Sequence, residues 1–88
     1  MKMNYNILFT SNSRKQFSKL TKDIQKRIVT YLETKIISNP QLHGKSLVGN
    51  KKGLWRYRVG DYRIICQINN KELVILILDL GHRRDVYT

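Results

Sequence analysis

One alternating segment with a short turn at its centre constrains the fold more than any other feature. Apolar and basic residues alternate through Leu54–Val59, and the alternation resumes through Tyr62–Ile68. Between them, Gly60 and Asp61 form a pair that is typical of the tightest loops between antiparallel strands. The segment therefore predicts a β-hairpin that lies at the centre of the domain.

The predicted register sorts the hairpin side chains onto two faces. Arg58 lies opposite Arg63, and Arg56 lies opposite Ile65, so the three arginines share one face. Like charges directly across a sheet repel each other, so we expect an anion between Arg58 and Arg63. The other face is predicted to enter the core, and its residues are Trp55, Tyr57, Val59, Tyr62, Ile64 and Cys66.

Length and charge narrow the class of protein. The chain has 88 residues, which predicts a single domain over residues 1–88 with one small core. Its 17 Lys and Arg residues against 6 Asp and Glu give a net charge of +11. A field of this sign attracts polyanions, so nucleic acid or an acidic protein is the expected ligand. A basic protein with no such ligand is the alternative.

The sequence also predicts a compartment and an absence of cofactors. Cys66 is the only cysteine, which excludes an intramolecular disulfide and a cysteine-based metal cluster. The longest apolar run, Leu73–Leu78, is far shorter than the roughly 20 residues that span a bilayer. The N-terminus has no signal-peptide pattern. We therefore expect a cytoplasmic protein with no membrane contact, no metal and no cofactor.

The first half of the chain predicts a strand and two helices. The strand is Tyr5–Thr10, and the first helix runs from Ser13, with Gln16 completing a capping box, to about Leu20. Thr21 is expected to cap the second helix, which Asn39-Pro40 ends. Its apolar stripe recurs every four residues: Ile24, Ile28, Leu32 and Ile36.

The second half adds a long loop and a last strand to the hairpin. The segment Gln41–Gly53 is predicted to be a loop whose lysines contact phosphate, namely Lys45, Lys51 and Lys52. The strand Glu72–Leu80 has an unbroken apolar centre, which predicts a central place in the sheet. Gly81 is expected to turn the chain away from the strand, bringing the tail toward the sheet's open face. The tail residues concerned are His82, Arg83 and Tyr87.

These elements predict an α+β fold of the order β-α-α-β-β-β. The sheet is largely antiparallel, with two helices on one face and a basic groove on the other. Three blocks of this sequence, Gly44–Leu47, Gly53–Ile65 and Gly81–Tyr87, resemble the RelE toxins of the RelE/ParE toxin-antitoxin superfamily. With the matching order of elements, the resemblance covers essentially the whole chain.

The resemblance implies a type II toxin that inhibits translation. Such a toxin enters the ribosomal A site and cuts the mRNA there, and a RelB-like antitoxin silences it in a complex. The implied chemistry uses no metal: the ribose 2′-hydroxyl attacks the adjacent phosphate and leaves a 2′,3′-cyclic phosphate. That reaction needs a base, an acid and cations for the extra charge of the phosphorane.

The resemblance also implies roles for individual residues. Arg56 and Arg58 occupy the two family positions of the first hairpin strand, where some members carry lysine. Arginine seldom gives up a proton, so both are expected to clamp phosphate. Arg63 matches the arginine of the transition state, Arg83 matches that of the tail, and Tyr87 matches the tyrosine that stacks on or orients the substrate.

Proton transfer then falls to His82, aided by Tyr87, because its side chain titrates near neutrality. The alternative is that His82 is only a turn residue. Arg84 is expected to contact RNA together with the loop lysines. The chain stops at Thr88, where some relatives carry a further helix, so an antitoxin switch based on that helix stays open here.

Two other functions stay open. The ParE branch shares the fold but inhibits DNA gyrase and lacks the nuclease residues, so the full set found here argues against it. A non-catalytic RNA-binding module is the other. A double-stranded-RNA-binding domain begins with a helix, whereas this chain begins with a strand and two helices.

Overall fold

A computed structural model describes residues 4–47, 53–82 and 84. It contains a five-stranded sheet in the order β1-β5-β4-β3-β2, in which β1 runs parallel to β5 and the other neighbours are antiparallel. The predicted α+β class is confirmed. In chain order the elements are β1 (Asn6–Phe9), α1 (Ser11–Ser18), α2 (Lys22–Tyr31), a π-helical segment (Leu32–Ile36), β2 (Lys45–Ser46), β3 (Leu54–Val59), β4 (Tyr62–Asn69) and β5 (Val74–His82).

The hairpin of β3 and β4 has the predicted register. Val59 pairs with Tyr62 and Arg58 pairs with Arg63. Gly60 in the turn has a φ of 60°, a conformation that glycine adopts without steric cost. The turn chemistry and the alternation of side chains thus agree, which is why this register could be predicted.

The core lies between the helices and one face of the sheet. The predicted stripe of the second helix is buried from Ile28 through Leu32 to Ile36, and its last turn has π-helical hydrogen bonds. None of the helices in the described part of the chain is long and apolar enough to cross a membrane. The sheet residues that complete the buried cluster are Tyr57, Ile64, Cys66, Ile75, Ile77 and Leu80.

The first helix begins earlier than predicted, and the predicted capping box is wrong. Thr10 is the N-cap, because its side chain accepts a hydrogen bond from the N–H of Ser13. Ser13 is fully buried, and its hydroxyl donates to the carbonyl of Ile77 over 2.7 Å. Gln16 bonds to β5 as well. α1 lies along β5 beyond the end of β1, so its side chains satisfy backbone groups that β1 leaves unpaired.

The last strand starts and ends two residues later than predicted. Its predicted central place is confirmed, since β5 lies between β1 and β4. The expectation that Gly81 turns the chain away is wrong, because Gly81 pairs with Arg63 and β5 continues to His82. Pairing with β4 holds this end of β5 in the sheet. A glycine in the sequence does not by itself indicate such pairing between distant segments.

A fifth strand replaces part of the predicted loop. Lys45 and Ser46 form β2 and pair with β3, so the prediction of a continuous loop over Gln41–Gly53 is wrong. The buried Tyr57 hydroxyl donates to the carbonyl of Pro40 and tethers the chain ahead of β2. Gly44 lies so close to the Tyr57 ring that an added Cβ would be 2.6 Å from its Cε1 atom. These contacts bring β2 alongside β3.

Candidate nucleic-acid interface

Four cations lie on the sheet face away from the core, which we call the open face: Lys45, Arg56, Arg58 and Arg63. In one row across the strands, Lys45 pairs with Arg56, Arg56 with Ile65 and Ile65 with Asp79. In the next row, Arg58 pairs with Arg63 and Arg63 with Gly81. Paired residues share a face and neighbouring strands are about 4.8 Å apart, so these charges fall within reach of one phosphate backbone.

The open face has an apolar floor between its charges. Ile65 is only 5% exposed although it lies outside the buried core cluster. Its row neighbours are Arg56 and Asp79, and arginine stems commonly cover apolar surface while their charged ends stay in water. Arg56 and Arg63 are partly buried, whereas Arg58 is exposed.

Backbone features of the turn and of β5 shape the surroundings of the arginines. The Nε atom of Arg58 donates to the carbonyl of Gly60 over 3.4 Å, which draws this side chain toward the turn. Gly81, beside Arg63, carries no side chain. A glycine in a strand allows another backbone to approach closely, so the space next to Arg63 suits a phosphate chain.

His82 lies elsewhere than predicted. It pairs with Tyr62, and the two rings meet edge to face with their centroids 5.7 Å apart, on the face opposite to Arg63. Its Nδ1 atom accepts a hydrogen bond from the N–H of Arg84 over 3.3 Å. In the neutral form of the ring, this bond occupies the Nδ1 lone pair and the ring proton is on Nε2. His82 is therefore arranged to donate a hydrogen bond from Nε2.

Asp79 is a residue of the open face that the sequence reasoning missed. Its Oδ1 atom accepts a hydrogen bond from the side-chain nitrogen of Gln16 over 2.6 Å, and the oxygen of the same amide accepts from the N–H of Leu80. The pairing of β4 with β5 shifts register here, as in a β-bulge. A lone acid that interrupts an apolar strand two residues before a glycine was the available signal.

Buried groups on the core side stay neutral. Burial is the main cause that raises the pKa of the Tyr57 hydroxyl, and burial also raises that of the Cys66 thiol. Cys66 is therefore a small apolar residue of the core, as its place in the alternation predicts. Within residues 4–47, 53–82 and 84, no group of three or more His, Cys, Asp or Glu side chains could hold a metal ion.

The structure thus brings part of the predicted site together. Arg56, Arg58 and Arg63 share the open face as expected, and Lys45 joins them from a strand instead of a loop. Arg84 is exposed just past the end of β5. The remaining predicted site residues lie outside the described part of the chain: Lys51, Lys52, Arg83 and Tyr87.

Comparisons with known proteins agree on one family. The family model described as "ParE toxin of type II toxin-antitoxin system, parDE" matches residues 7–87. Toxin RelG of Mycobacterium tuberculosis is 29% identical over 85 residues, which cover 97% of this chain and 98% of RelG.

Solved structures give the same result. The toxin-antitoxin complex RelBE2 from Mycobacterium tuberculosis contains a chain that matches with a TM-score of 0.85 and 28% identity, over 91% of this chain and 99% of that one. The archaeal RelE-RelB complex from Pyrococcus horikoshii matches with a TM-score of 0.70 and 30% identity, over 94% and 99%. This chain therefore belongs to the RelE/ParE superfamily and is a RelE-type toxin of a type II toxin-antitoxin system.

Proposed function

We propose that this toxin is a ribosome-dependent endoribonuclease that cuts mRNA in the ribosomal A site and so inhibits translation. The observation that carries the proposal is the direct opposition of Arg58 and Arg63 on the open face. Like-charged residues that pair directly across a sheet repel each other, so this pair favours a bound anion. For a toxin that inhibits translation and has a net charge of +11, we assign this anion to a phosphodiester of the bound mRNA.

The proposed reaction is a metal-independent attack within the substrate. The ribose 2′-oxygen bonds to the adjacent phosphorus, the bond to the 5′-oxygen breaks, and a 2′,3′-cyclic phosphate remains. Arg63 stabilises the added charge of the phosphorane, while Arg56 and Arg58 clamp the phosphate. Fixed cations act here without reorganising during the reaction, which is the source of their effect.

The other proposed roles are proton donation to the leaving group and contacts with the rest of the substrate. His82 supplies the proton of the departing 5′-oxygen, aided by Tyr87, which also stacks on or orients the substrate. His82 is the last residue of β5 and is partly exposed, so a substrate that passes the end of the strand can reach it. Arg83 is the fourth fixed cation of the catalytic site, and the remaining basic residues bind RNA phosphates: Lys45, Lys51, Lys52 and Arg84.

A cleavage assay on programmed ribosomes tests the proposal. Purified toxin is added to ribosomes carrying end-labelled mRNA, and primer extension maps the cut. We expect one cut in the A-site codon, with a 2′,3′-cyclic phosphate on the upstream product. The matched control is the same mRNA with a single 2′-deoxynucleotide at the cut position, which should stay intact. Cleavage of the deoxy substrate at the normal rate would exclude attack by the 2′-hydroxyl.

We further propose that a RelB-like antitoxin binds this toxin in the cytoplasm and covers the open face. Two similar structures are described as complexes of a toxin with its antitoxin. The net charge of +11 favours a partner with acidic or apolar segments. Co-expression with the adjacent small open reading frame should give a tight complex that leaves mRNA intact on ribosomes. A complex that cuts as fast as the free toxin would contradict occlusion.

Gyrase inhibition is the second candidate, because the matching family model is described as ParE. The cations of the open face argue for RNA cleavage instead. A supercoiling assay with the same purified toxin separates the two. We expect gyrase to supercoil relaxed plasmid at the control rate, and inhibition of gyrase without mRNA cleavage would favour the ParE-like function.

A further inference from the structure

We infer that Asp79 is the general base that takes the proton from the attacking 2′-hydroxyl. This assignment rests on the proposed nuclease function and supplies a group that the arginines cannot provide. Guanidinium groups remain protonated at all physiological pH values, so Arg56, Arg58 and Arg63 cannot accept a proton. A base must therefore come from another residue of the same surface.

His82 does not meet this requirement. Its Nδ1 lone pair already accepts the N–H of Arg84, and Nε2 then carries the ring proton. Its cross-strand partner is Tyr62, which lies on the face opposite to Arg63. His82 is therefore poorly placed to accept the 2′-hydroxyl proton on the open face.

Asp79 differs from the other described carboxylates in its position. It pairs with Ile65, which pairs with Arg56, so it shares the row and the face of the cations. Arg63 lies diagonally across from it, because Arg63 pairs with Gly81 two residues further along β5. Diagonal neighbours on one face lie about 7 to 8 Å apart, a gap that one phosphate group spans. The other described acids lie on the helical segments or in turns: Asp23, Glu33, Asp61 and Glu72.

α1 holds the carboxylate in place. The Gln16 amide donates to Oδ1 and accepts from the N–H of Leu80, so it is fixed at both ends. A base oriented by a third group is the arrangement expected of an activating pair. The second oxygen, Oδ2, is the atom to which we assign the proton. The buried Ser13 of the same helix bonds to the carbonyl of Ile77 and anchors α1 against β5.

The proton and bond changes balance with the residues named. The 2′-hydroxyl proton passes to Oδ2 of Asp79 as the 2′-oxygen bonds to phosphorus. The bond from phosphorus to the 5′-oxygen then breaks, and that oxygen takes a proton from the imidazolium form of His82, which becomes the neutral ring whose Nδ1 atom accepts from the N–H of Arg84. Solvent afterwards takes the proton from Asp79 and returns one to His82, so the enzyme regains its starting state.

Single-turnover cleavage on programmed ribosomes by Asp79→Asn tests the assignment. Asparagine keeps an oxygen that accepts from Gln16, so the fold should be retained, and a thermal melt checks this. We expect the cleavage rate to fall by about 10² to 10⁴. Binding to ribosomes should be unchanged or tighter, since the change removes a negative charge. The matched control is Asp61→Asn, which makes the same charge change in the turn, where asparagine is well tolerated.

The pH profile distinguishes a base from a structural residue. Asp79 is the only carboxylate on α1, β3, β4 and β5, so the acid side of the profile reports no second carboxylate from them. Their charged residues are Arg14, Lys15, Arg56, Arg58, Arg63 and His82, and their other titratable residues are Tyr57, Tyr62 and Cys66. For the wild type we expect the rate to fall toward acid pH, where a carboxylate takes up a proton. Asp79→Asn should lose this acid limb, whereas Asp61→Asn should retain it.

The outcomes separate this inference from the proposed function. If the wild type leaves mRNA intact on ribosomes, the nuclease proposal fails and the role of Asp79 falls with it. If the wild type cuts and Asp79→Asn cuts equally fast, only the assignment of Asp79 fails. A slower Asp79→Asn with the wild-type acid limb, or an equal loss in Asp61→Asn, would also overturn it.

Discussion

The two faces of the central sheet are made from alternate residues of the same strands, yet they are stabilised in different ways. On the core side, Tyr57 and Ile64 form a pair that is almost completely buried. One residue nearer the turn on each strand, Arg58 and Arg63 form a pair of like charges on the open face. Burial of the first pair stabilises the fold, while repulsion in the second opposes it.

This difference teaches how a small domain can hold a reactive surface. Core packing fixes the backbone of β3 and β4, so the arginines stay in register despite their repulsion. Substitutions on the open face should then alter function without unfolding the chain, and substitutions on the core side should do the reverse. The variants below test this division, either at a residue that departs from it or at a residue of one face.

His82→Gln should have the largest effect on the cleavage rate. It tests an exception to the division between the two faces, because His82 pairs with Tyr62 on the core side of the sheet and yet has a proposed role in cleavage. Glutamine can donate a hydrogen bond but cannot exchange a proton near neutrality. We expect single-turnover cleavage to slow by about 10² to 10⁴ and its dependence on pH between about 5 and 8 to flatten. The matched control is His43→Gln, at the exposed second histidine.

An unchanged rate and pH profile in His82→Gln would remove His82 from the mechanism. The acid role would then pass to Tyr87 or to the ribosome. Because Nδ1 of His82 accepts from the N–H of Arg84, the melting temperature of the variant should also be compared with that of the wild type. A lower melting temperature with normal cleavage identifies His82 as a residue that secures the end of β5.

The contrast between the hairpin and the α1–β5 junction explains how much could be predicted from sequence. In the hairpin, the turn residues and the alternating pattern act locally and agree, so the pairing of Arg58 with Arg63 was predicted correctly. The role of Ser13 was not, because its partner is the carbonyl of Ile77, 64 residues away. A serine followed by a glutamine three residues later fits a capping box in any chain, and only the position of β5 decides otherwise.

The same distinction holds within the candidate site. Arg56 and Arg58 followed from alternation alone, whereas β2 depends on the tether between Tyr57 and Pro40. Asp79 was missed because its significance comes from Gln16 and from a shift of register between two distant strands. Long-range hydrogen bonds of side chains leave no periodic trace in a sequence, so these features required the structure.

Arg63→Ala should have the next largest effect on the cleavage rate. It tests the expectation that residues of the open face serve function. Loss of a fixed cation at the phosphorane typically slows a reaction by about 10² to 10³. The melting temperature should stay close to that of the wild type, because the buried pairs of the core side hold β3 and β4 in register. Cleavage on ribosomes and thermal unfolding measure the two effects. Arg14→Ala, at an exposed arginine of α1, removes the same charge and should cut mRNA at the wild-type rate.

Cys66→Ala should have the smallest effect on the cleavage rate at neutral pH. It tests the expectation that residues of the core side serve stability. Cys66 is fully buried, and burial raises the pKa of its thiol. The unfolded chain, with an ordinary thiol pKa near about 8.5, loses this proton first, so rising pH favours unfolding. Above about pH 9 the wild type should therefore lose up to about 1.4 kcal/mol of unfolding free energy per pH unit from this group.

Cys66→Ala lacks that group, so its stability should fall less steeply in alkali. Below pH 8 the free energies of unfolding of the two proteins should differ by a constant amount, which denaturant titrations can measure. Tyr57 contributes to the alkaline fall in both proteins, since burial raises the pKa of its hydroxyl as well. Cys66 also contributes to the raised pKa of Tyr57, so the difference between the two curves reports the thiol together with its effect on that hydroxyl. Parallel curves up to pH 10 would show that Cys66 reaches solvent in the native state, and the core side of the sheet would then be less tightly closed than its packing indicates.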